Sequence, residues 1–201
     1  MSSPLILASS SVYRKALLSR LGLAFDVQRP DVDETPRSGE AFIDTAMRLA
    51  KEKAVWVAQR HPAAIVIGSD QVAACAGQRL DKPGNAENAL TQLKLQRGHV
   101  SEFHTAVCVA GDAGRRIEAA LVTTHVRFKG EDAISDEMLK AYIAIEQPFD
   151  CAGAAKSEGL GIVLISSIQG PDPTALVGLP LIALTDLLAR FGVMPLTRPL
   201  P

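Results

Sequence analysis

The sequence predicts a mixed α/β fold, a mixed sheet with flanking helices, and three observations carry that prediction. Short apolar runs suited to buried strands alternate with helical patterns near both ends of the chain. Two runs in the middle, 99–109 and 117–128, alternate like a pair of antiparallel strands around the turn "GDAGR". No Pro- or Ser-rich linker divides the 201 residues into independent domains. The expectation is one domain over 1–201, ordered over 1–194, with "PLTRPLP" (195–201) as a frayed tail.

In chain order, Leu5–Ala8 reads as a buried strand and Val12–Leu21 as a helix, with Leu17, Leu18 and Leu21 at helical spacing. Phe25–Gln28 is a short strand that stops at Pro30, and "PDVDETPRSG" is a loop by its prolines and glycine. Glu40–Arg60 carries a helical stripe through Phe42, Ala46, Leu49, Ala50 and Lys53, ending before Pro62. Ala64–Ala73 is a central strand with "GSDQ" inside it. "LDKPGN" is a turn, and Asn85 caps a helix that runs to Leu95. Asp132–Ile145 is helical, Ile162–Ile168 is a strand, and Leu176–Arg190 is the closing helix.

Composition excludes several classes of function. A formal net charge of −1 provides no basic field for nucleic acid, so any anion site must be a local cluster. The longest apolar runs, such as Ala63–Ile67 and Gly159–Ile165, are too short to cross a bilayer. The N-terminus has no signal-peptide pattern. Cys75, Cys108 and Cys151 are odd in number and follow no zinc spacing, as expected of reduced thiols in a cytoplasmic protein.

Four polar features stand out against this background. Ser9, Ser10 and Ser11 occupy a strand-to-helix turn, where unpaired N–H groups attract anions and Arg14 adds charge one turn in. An ordinary N-cap gives the same pattern. Asp31, Asp33 and Glu34 crowd one loop, either simply solvated or suited to Mg²⁺ or Mn²⁺, which prefer oxygen ligands. Lys53 falls on the apolar stripe of its helix, where a lysine either snorkels outward or has a functional role. Asp70 interrupts "IVIGSDQVAA", where a carboxylate is costly to ionise unless paired or metal-bound. Lys82, in the "DKP" turn, is a further cation. An anion-binding turn, clustered acids, two lysines and a buried acid are together the parts that phosphoryl chemistry requires. The P-loop pattern and H-E-x-x-H are both missing, and Cys151 in "DCAG" has no evident base partner.

"LASSSVYR", "PDVDE", "AKEKA", "GSDQV" and "DKP", in this order and spacing, resemble the Maf-like nucleotide pyrophosphatases. "FDCAGAAKSEGLGI" and "IQGPDPTALVGLPL" extend the resemblance over nearly the whole chain. The resemblance implies two lobes around a central cleft, a homodimer, and hydrolysis of nucleoside triphosphates to monophosphate and pyrophosphate with a divalent metal, Mg or Mn. By position it makes Ser9 and Arg14 the phosphate ligands, Asp70 the proton acceptor, Lys53 and Lys82 the catalytic cations, and Glu34 with Asp70 the metal side. Where the family often has Pro followed by two arginines, this chain reads Val12–Tyr13–Arg14. Tyr13, Gln71 and Glu158 are similar to the branch that prefers 7-methyl-GTP. N7 methylation makes guanine cationic, which suits an aromatic face and a carboxylate able to accept from its N1–H and N2–H₂ edge. The alternatives are the same reaction on dTTP or UTP, or a nucleotide-binding regulator of cell division that does not turn over. The partners expected are therefore a nucleotide and a second copy of the chain, with no nucleic acid and no membrane.

Overall fold

The computed structural model describes residues 3–197. Among them are seven strands and five α-helices in a mixed α/β arrangement. The strands are β1 (Leu5–Ala8), β2 (Asp26–Val27), β3 (Ile65–Cys75), β4 (Gln78–Leu80), β5 (Val100–Gly111), β6 (Arg116–Phe128) and β7 (Ile165–Gln169). They form one sheet in the order β2-β1-β3-β5-β6-β7, with β4 antiparallel to β3; β1 is parallel to β2 and β3. The helices are α1 (Val12–Ser19), α2 (Phe42–Arg60), α3 (Ala86–Gln96), α4 (Asp136–Glu146) and α5 (Leu181–Arg190). No helix among the described residues is long and apolar enough to cross a membrane.

Several boundaries depart from the sequence prediction for identifiable reasons. Helix α4 starts at Asp136 rather than 132, because the Ser135 hydroxyl accepts from the Met138 N–H at 3.3 Å and caps it there. The closing helix starts at Leu181 rather than Leu176. Gly178, at φ +112°, and Pro180 break it, and Ala175–Val177 form a separate 3₁₀ turn. Leu160–Leu164 is a 3₁₀ segment, so the strand predicted from Ile162 begins at Ile165. Strand β4 has no sequence pattern that singles it out. At the C-terminus Pro195–Thr197 form a 3₁₀ turn, and residues 198–201 of the expected tail lie outside the described residues.

The chain divides into two compact units. The first holds the described residues up to Gln71, then Thr105–Val122, and the residues from Asp172 onward. Its core joins Leu5, Leu7, Ile65, Ile67, Val107 and Val109 to Leu17 and Leu18 of α1 and Leu184, Leu187 and Leu188 of α5. Alternate residues of a strand face opposite ways, so Ile6, Val66 and Gly68 face the other side, toward α2. There α2 presents Ala46, Ala50, Ala54 and Ala58, all fully buried. A Cβ on Gly68 would lie 2.3 Å from the Ala50 carbonyl oxygen and 2.7 Å from the Ala54 nitrogen, so helix and strand touch backbone to backbone.

The second unit holds Val72–His104 and Thr123–Pro171. Its α3 is capped by Asn85, as predicted, and packs on α4 and on the turn Ala152–Ala154. Fully buried Gln96 donates to the Gly153 carbonyl at 2.6 Å and accepts from the Ser101 hydroxyl at 3.0 Å. The Tyr142 hydroxyl donates to the Ala154 carbonyl and accepts from the Lys156 N–H, so the segment 151–156 is fixed at several points.

Gly68→Ala must force α2 off β3, because the clash is with backbone and no rotamer relieves it. Overpacking of this kind costs about 1–3 kcal/mol, or roughly 2–12 °C in a chain of this size. Thermal unfolding of the variant checks this; an unchanged midpoint would mean that α2 shifts without penalty.

Candidate active site

The candidate site of the first unit is built where the parallel strands end. Register pairs Ala8 with Gly68, so the serine turn that begins at Ser9 runs alongside Ser69 and Asp70 of the neighbouring strand. The carboxyl ends of parallel strands are where open α/β sheets place their ligands. Ser9 is buried, and its hydroxyl oxygen accepts from the Ser11 N–H at 3.1 Å. Ser11, not Ser9, caps α1, accepting from the Arg14 N–H at 3.3 Å. Both hydroxyls act only as acceptors in these two bonds.

Asp70 shares the face of Gly68, and the close approach of α2 brings Lys53 against it. The Lys53 ammonium donates to Asp70 Oδ1 at 2.7 Å and pairs with Glu34 Oε1 at 2.8 Å. Lys53 and Asp70 are nearly solvent-free, whereas the Glu34 side chain is 62% exposed. Of the three acids in the loop, Glu34 is the one that reaches the lysine. Asp33 is turned back, its carboxylate accepting from the Thr35 N–H at 2.9 Å; the Thr35 side chain first, and this backbone bond second, hold its pKa below the usual range. Arg14 is half-buried. Burial pulls its guanidinium below the usual arginine pKa, and the nearby Asp70 and Glu34 carboxylates oppose that shift. Its Nε donates to the Gly178 carbonyl at 2.8 Å.

The loop that carries Glu34 is tied down by Arg48 of α2. Arg48 grips Glu40 with Nε at 2.6 Å and Nη2 at 2.8 Å, and Nη2 also donates to the Thr35 carbonyl at 3.2 Å. The bidentate bond lowers the Glu40 pKa from 4.5 to about 2.

Tyr13 sits half-buried in the first turn of α1, one residue before Arg14. Gln71 is the one residue of β3 that is not buried. Its Nε2 donates to Thr105 Oγ1 at 2.9 Å and to the Ala175 and Leu176 carbonyls at 3.0 and 3.1 Å. Thr105, Ser69 and Gly178 escape sequence reading, because the bonds that matter run to backbone carbonyls, several of them in a segment whose pattern predicts helix.

Two predicted residues belong to the second unit. Lys82 is exposed in a turn braced by Gln92, which donates to the Asp81 carbonyl, and by Asn88, which donates to the Pro83 carbonyl. No ion pair of Lys82 is found among the described residues. Glu158 is exposed next to Ser157, whose hydroxyl lies 3.4 Å from it. All three cysteines are free, and burial pushes the Cys108 and Cys151 thiols up to about 12, so neither is a nucleophile.

Among the described residues no group of three or more His, Cys, Asp or Glu is arranged to hold a metal ion. A two-carboxylate site is a different matter, because Glu34 and Asp70 already converge on one cation, the Lys53 ammonium. Mg²⁺ in nucleotide enzymes is commonly held by one or two carboxylates with substrate phosphates and water supplying the rest. The donor pair fits that pattern.

A family profile described as "Maf-like protein" matches residues 4–191. The chain belongs to the Maf-like family. Among its curated relatives, a protein of Bordetella avium named 7-methyl-GTP pyrophosphatase is 51% identical over 97% of this chain and 96% of its own length. Proteins of the same name from Methylobacillus flagellatus and Bordetella pertussis are 51% and 52% identical, covering 94% and 96% of this chain and 97% and 94% of their own. The Maf-like residues matched include every candidate named above.

The Glu40 carboxylate gives the loop a pH signature. A folded pKa below the ordinary 4.5 means that the Glu40–Arg48 tie contributes fully above pH 4.5, and its contribution fades as pH falls toward about 2. Stability should therefore drop across that window, and Glu40→Gln should be less stable at pH 7 with a flatter profile. Chemical denaturation of both proteins at several pH values checks this; parallel profiles would exclude the tie.

Proposed function

We propose that this chain hydrolyses 7-methyl-GTP to the monophosphate and pyrophosphate, in the cytoplasm, as a homodimer and with a divalent cation. The observation that carries the chemistry is the buried Lys53 held between Asp70 and Glu34 beside Arg14 and the serine turn. The substrate is supported by near-full-length relatives that bear the name 7-methyl-GTP pyrophosphatase.

In this reading the triphosphate lies against Ser9 and Arg14. Lys53 occupies one oxygen of Asp70, and no hydrogen bond to Oδ2 is found among the described residues. That oxygen takes the proton from the water that attacks the α-phosphorus, and the electron pair of the broken P–O bond leaves with pyrophosphate. Arg14, Lys53 and Lys82 stabilise the charge that builds on the departing group. Glu34 and Asp70 would hold Mg²⁺ or Mn²⁺, which when bound neutralises phosphate oxygens as a Lewis acid. Tyr13 offers an aromatic face to the methylated base, Gln71 an acceptor oxygen, and Glu158 a carboxylate for the cationic ring and its donor edge. The roles of Lys82 and Glu158 rest on their motifs, "DKP" and "KSEG".

Asp70→Asn keeps the shape and loses the proton acceptor. Its kcat should fall about 10²- to 10⁴-fold, with 7-methyl-GTP binding largely retained; near-normal turnover would remove Asp70 from the mechanism.

Glu158→Ala should weaken the apparent affinity for 7-methyl-GTP, read as a rise in its KM of roughly 10- to 150-fold, the equivalent of a charge-assisted hydrogen bond. UTP should be affected far less. Comparing kcat/KM among three substrates, GTP, UTP and 7-methyl-GTP, separates the possibilities. A uniform change would assign Glu158 to the fold and favour a pyrimidine substrate.

A further inference from the structure

We infer that Ser69 and Thr105 are positioning residues for triphosphate binding: they fasten the Ala175–Gly178 turn, whose last carbonyl in turn fixes the plane of the Arg14 guanidinium. The inference rests on the reading of Arg14 as a phosphate ligand and adds how that arginine is aimed.

All the groups concerned lie within the first unit. Asp70 faces α2, so Ser69 and Gln71, its neighbours on β3, face the opposite side, where the turn runs. The Ser69 hydroxyl, fully buried, shares its hydrogen between the Ala106 carbonyl at 2.8 Å and the Gly178 carbonyl at 3.0 Å. The Thr105 hydroxyl, also fully buried, donates to the Ala175 carbonyl at 2.9 Å and accepts from Gln71 Nε2. Carbonyls only accept, so the Gln71 amide must present its nitrogen to Ala175 and Leu176. On the other side of the turn, buried Asp172 accepts from the Thr174 N–H and hydroxyl and from the Ile182 N–H. Thr174 accepts from the Leu181 N–H. The turn is therefore held from β3, from β5 and from the start of α5.

Two features tie this fastening to Arg14. Gly178 sits at φ +112°, a left-handed conformation that L side chains rarely adopt, and a Cβ there would stand 3.6 Å from Arg14 Nε. The Gly178 carbonyl accepts from that Nε at 2.8 Å, while no hydrogen bond of either Nη group is found among the described residues. A guanidinium is planar, so a bond at Nε sets the direction of the remaining donors. A carbonyl is also neutral. It orients the arginine without cancelling the charge that a phosphate needs, as a carboxylate in its place would do.

The test is equilibrium binding of inorganic tripolyphosphate, without divalent metal, to Ser69→Ala and Thr105→Val in the full chain and again in an Arg14→Ala background. Tripolyphosphate carries no base, so the result stands whether or not 7-methyl-GTP is the substrate. Each variant should weaken binding roughly 3- to 10-fold, the equivalent of a neutral hydrogen bond. Thr105→Ser should restore it, and neither variant should add to the loss already caused by Arg14→Ala. In steady state, UTP and 7-methyl-GTP should show the same proportional rise in KM. Unchanged tripolyphosphate affinity in both variants would overturn the inference, as would an equal further loss without the arginine.

Discussion

Lys53 carries an ammonium group into a place with almost no water, and such a charge is tolerated only when acids are brought to it. Asp70 and Glu34 meet that demand at 2.7 and 2.8 Å, and both the fold and the chemistry follow from how they come to be there. The approach depends on Gly68 and on the alanines of α2, which let helix and strand backbones touch. A larger side chain on either surface would separate lysine from aspartate, leaving buried Asp70 without its cation and Lys53 with Glu34 alone. The small residues are thus a condition of the charged ones. The apolar stripe of α2 contains a lysine because the strand beneath it contains an acid.

Glu34 reaches the same point by a different route. It comes from an irregular loop, and its side chain is mostly in water. What holds that loop is not the lysine alone but Arg48, through its bidentate grip on Glu40 and its bond to the Thr35 carbonyl. The buried partner is fixed by packing and the exposed one by a separate, pH-sensitive ion pair.

Local signals account for what the sequence reveals. A carboxylate inside the apolar run "IVIGSDQVAA", a lysine on an alanine stripe and serines at the end of a strand each break a pattern, and each belongs to this cluster. The asparagine cap of α3 is legible for the same reason, whereas the serine cap of α4 at Ser135 is not, and the sequence pattern starts that helix too early. Ser69, Thr105 and Asp172 break no pattern, because small hydroxyl residues and loop acids are ordinary anywhere. The importance of Ser69 and Thr105 comes from carbonyls in residues 175–178, distant in sequence and helical in pattern, and that of Asp172 from the N–H groups of Thr174 and Ile182. The stretch "PTALVGLP" has helix-forming residues in its middle, and only the backbone demands of Gly178 and Pro180 show that it turns instead. In the second unit, Lys82 enters the sequence reading merely as a further cation and Glu158 only through resemblance, since exposed charges in turns are common.

The charges gathered in the first unit also bear on the metal. Arg14 and Lys53 are balanced one for one by Asp70 and Glu34, so this cluster has no net formal charge with which to attract a triphosphate. A neutral cluster binds and orients phosphate oxygens through directed bonds, and further positive charge would strengthen its hold on a nucleotide. The missing positive charge has two sources consistent with the residues present, a divalent cation on the Glu34–Asp70 pair and the lysine of the "DKP" motif, Lys82. A metal ion held by that pair would leave the two carboxylates neutralised and release Lys53 from its double ion pair to face phosphate. A metal ion on that pair and the lysine bridge would be alternative ways of satisfying the same two acids.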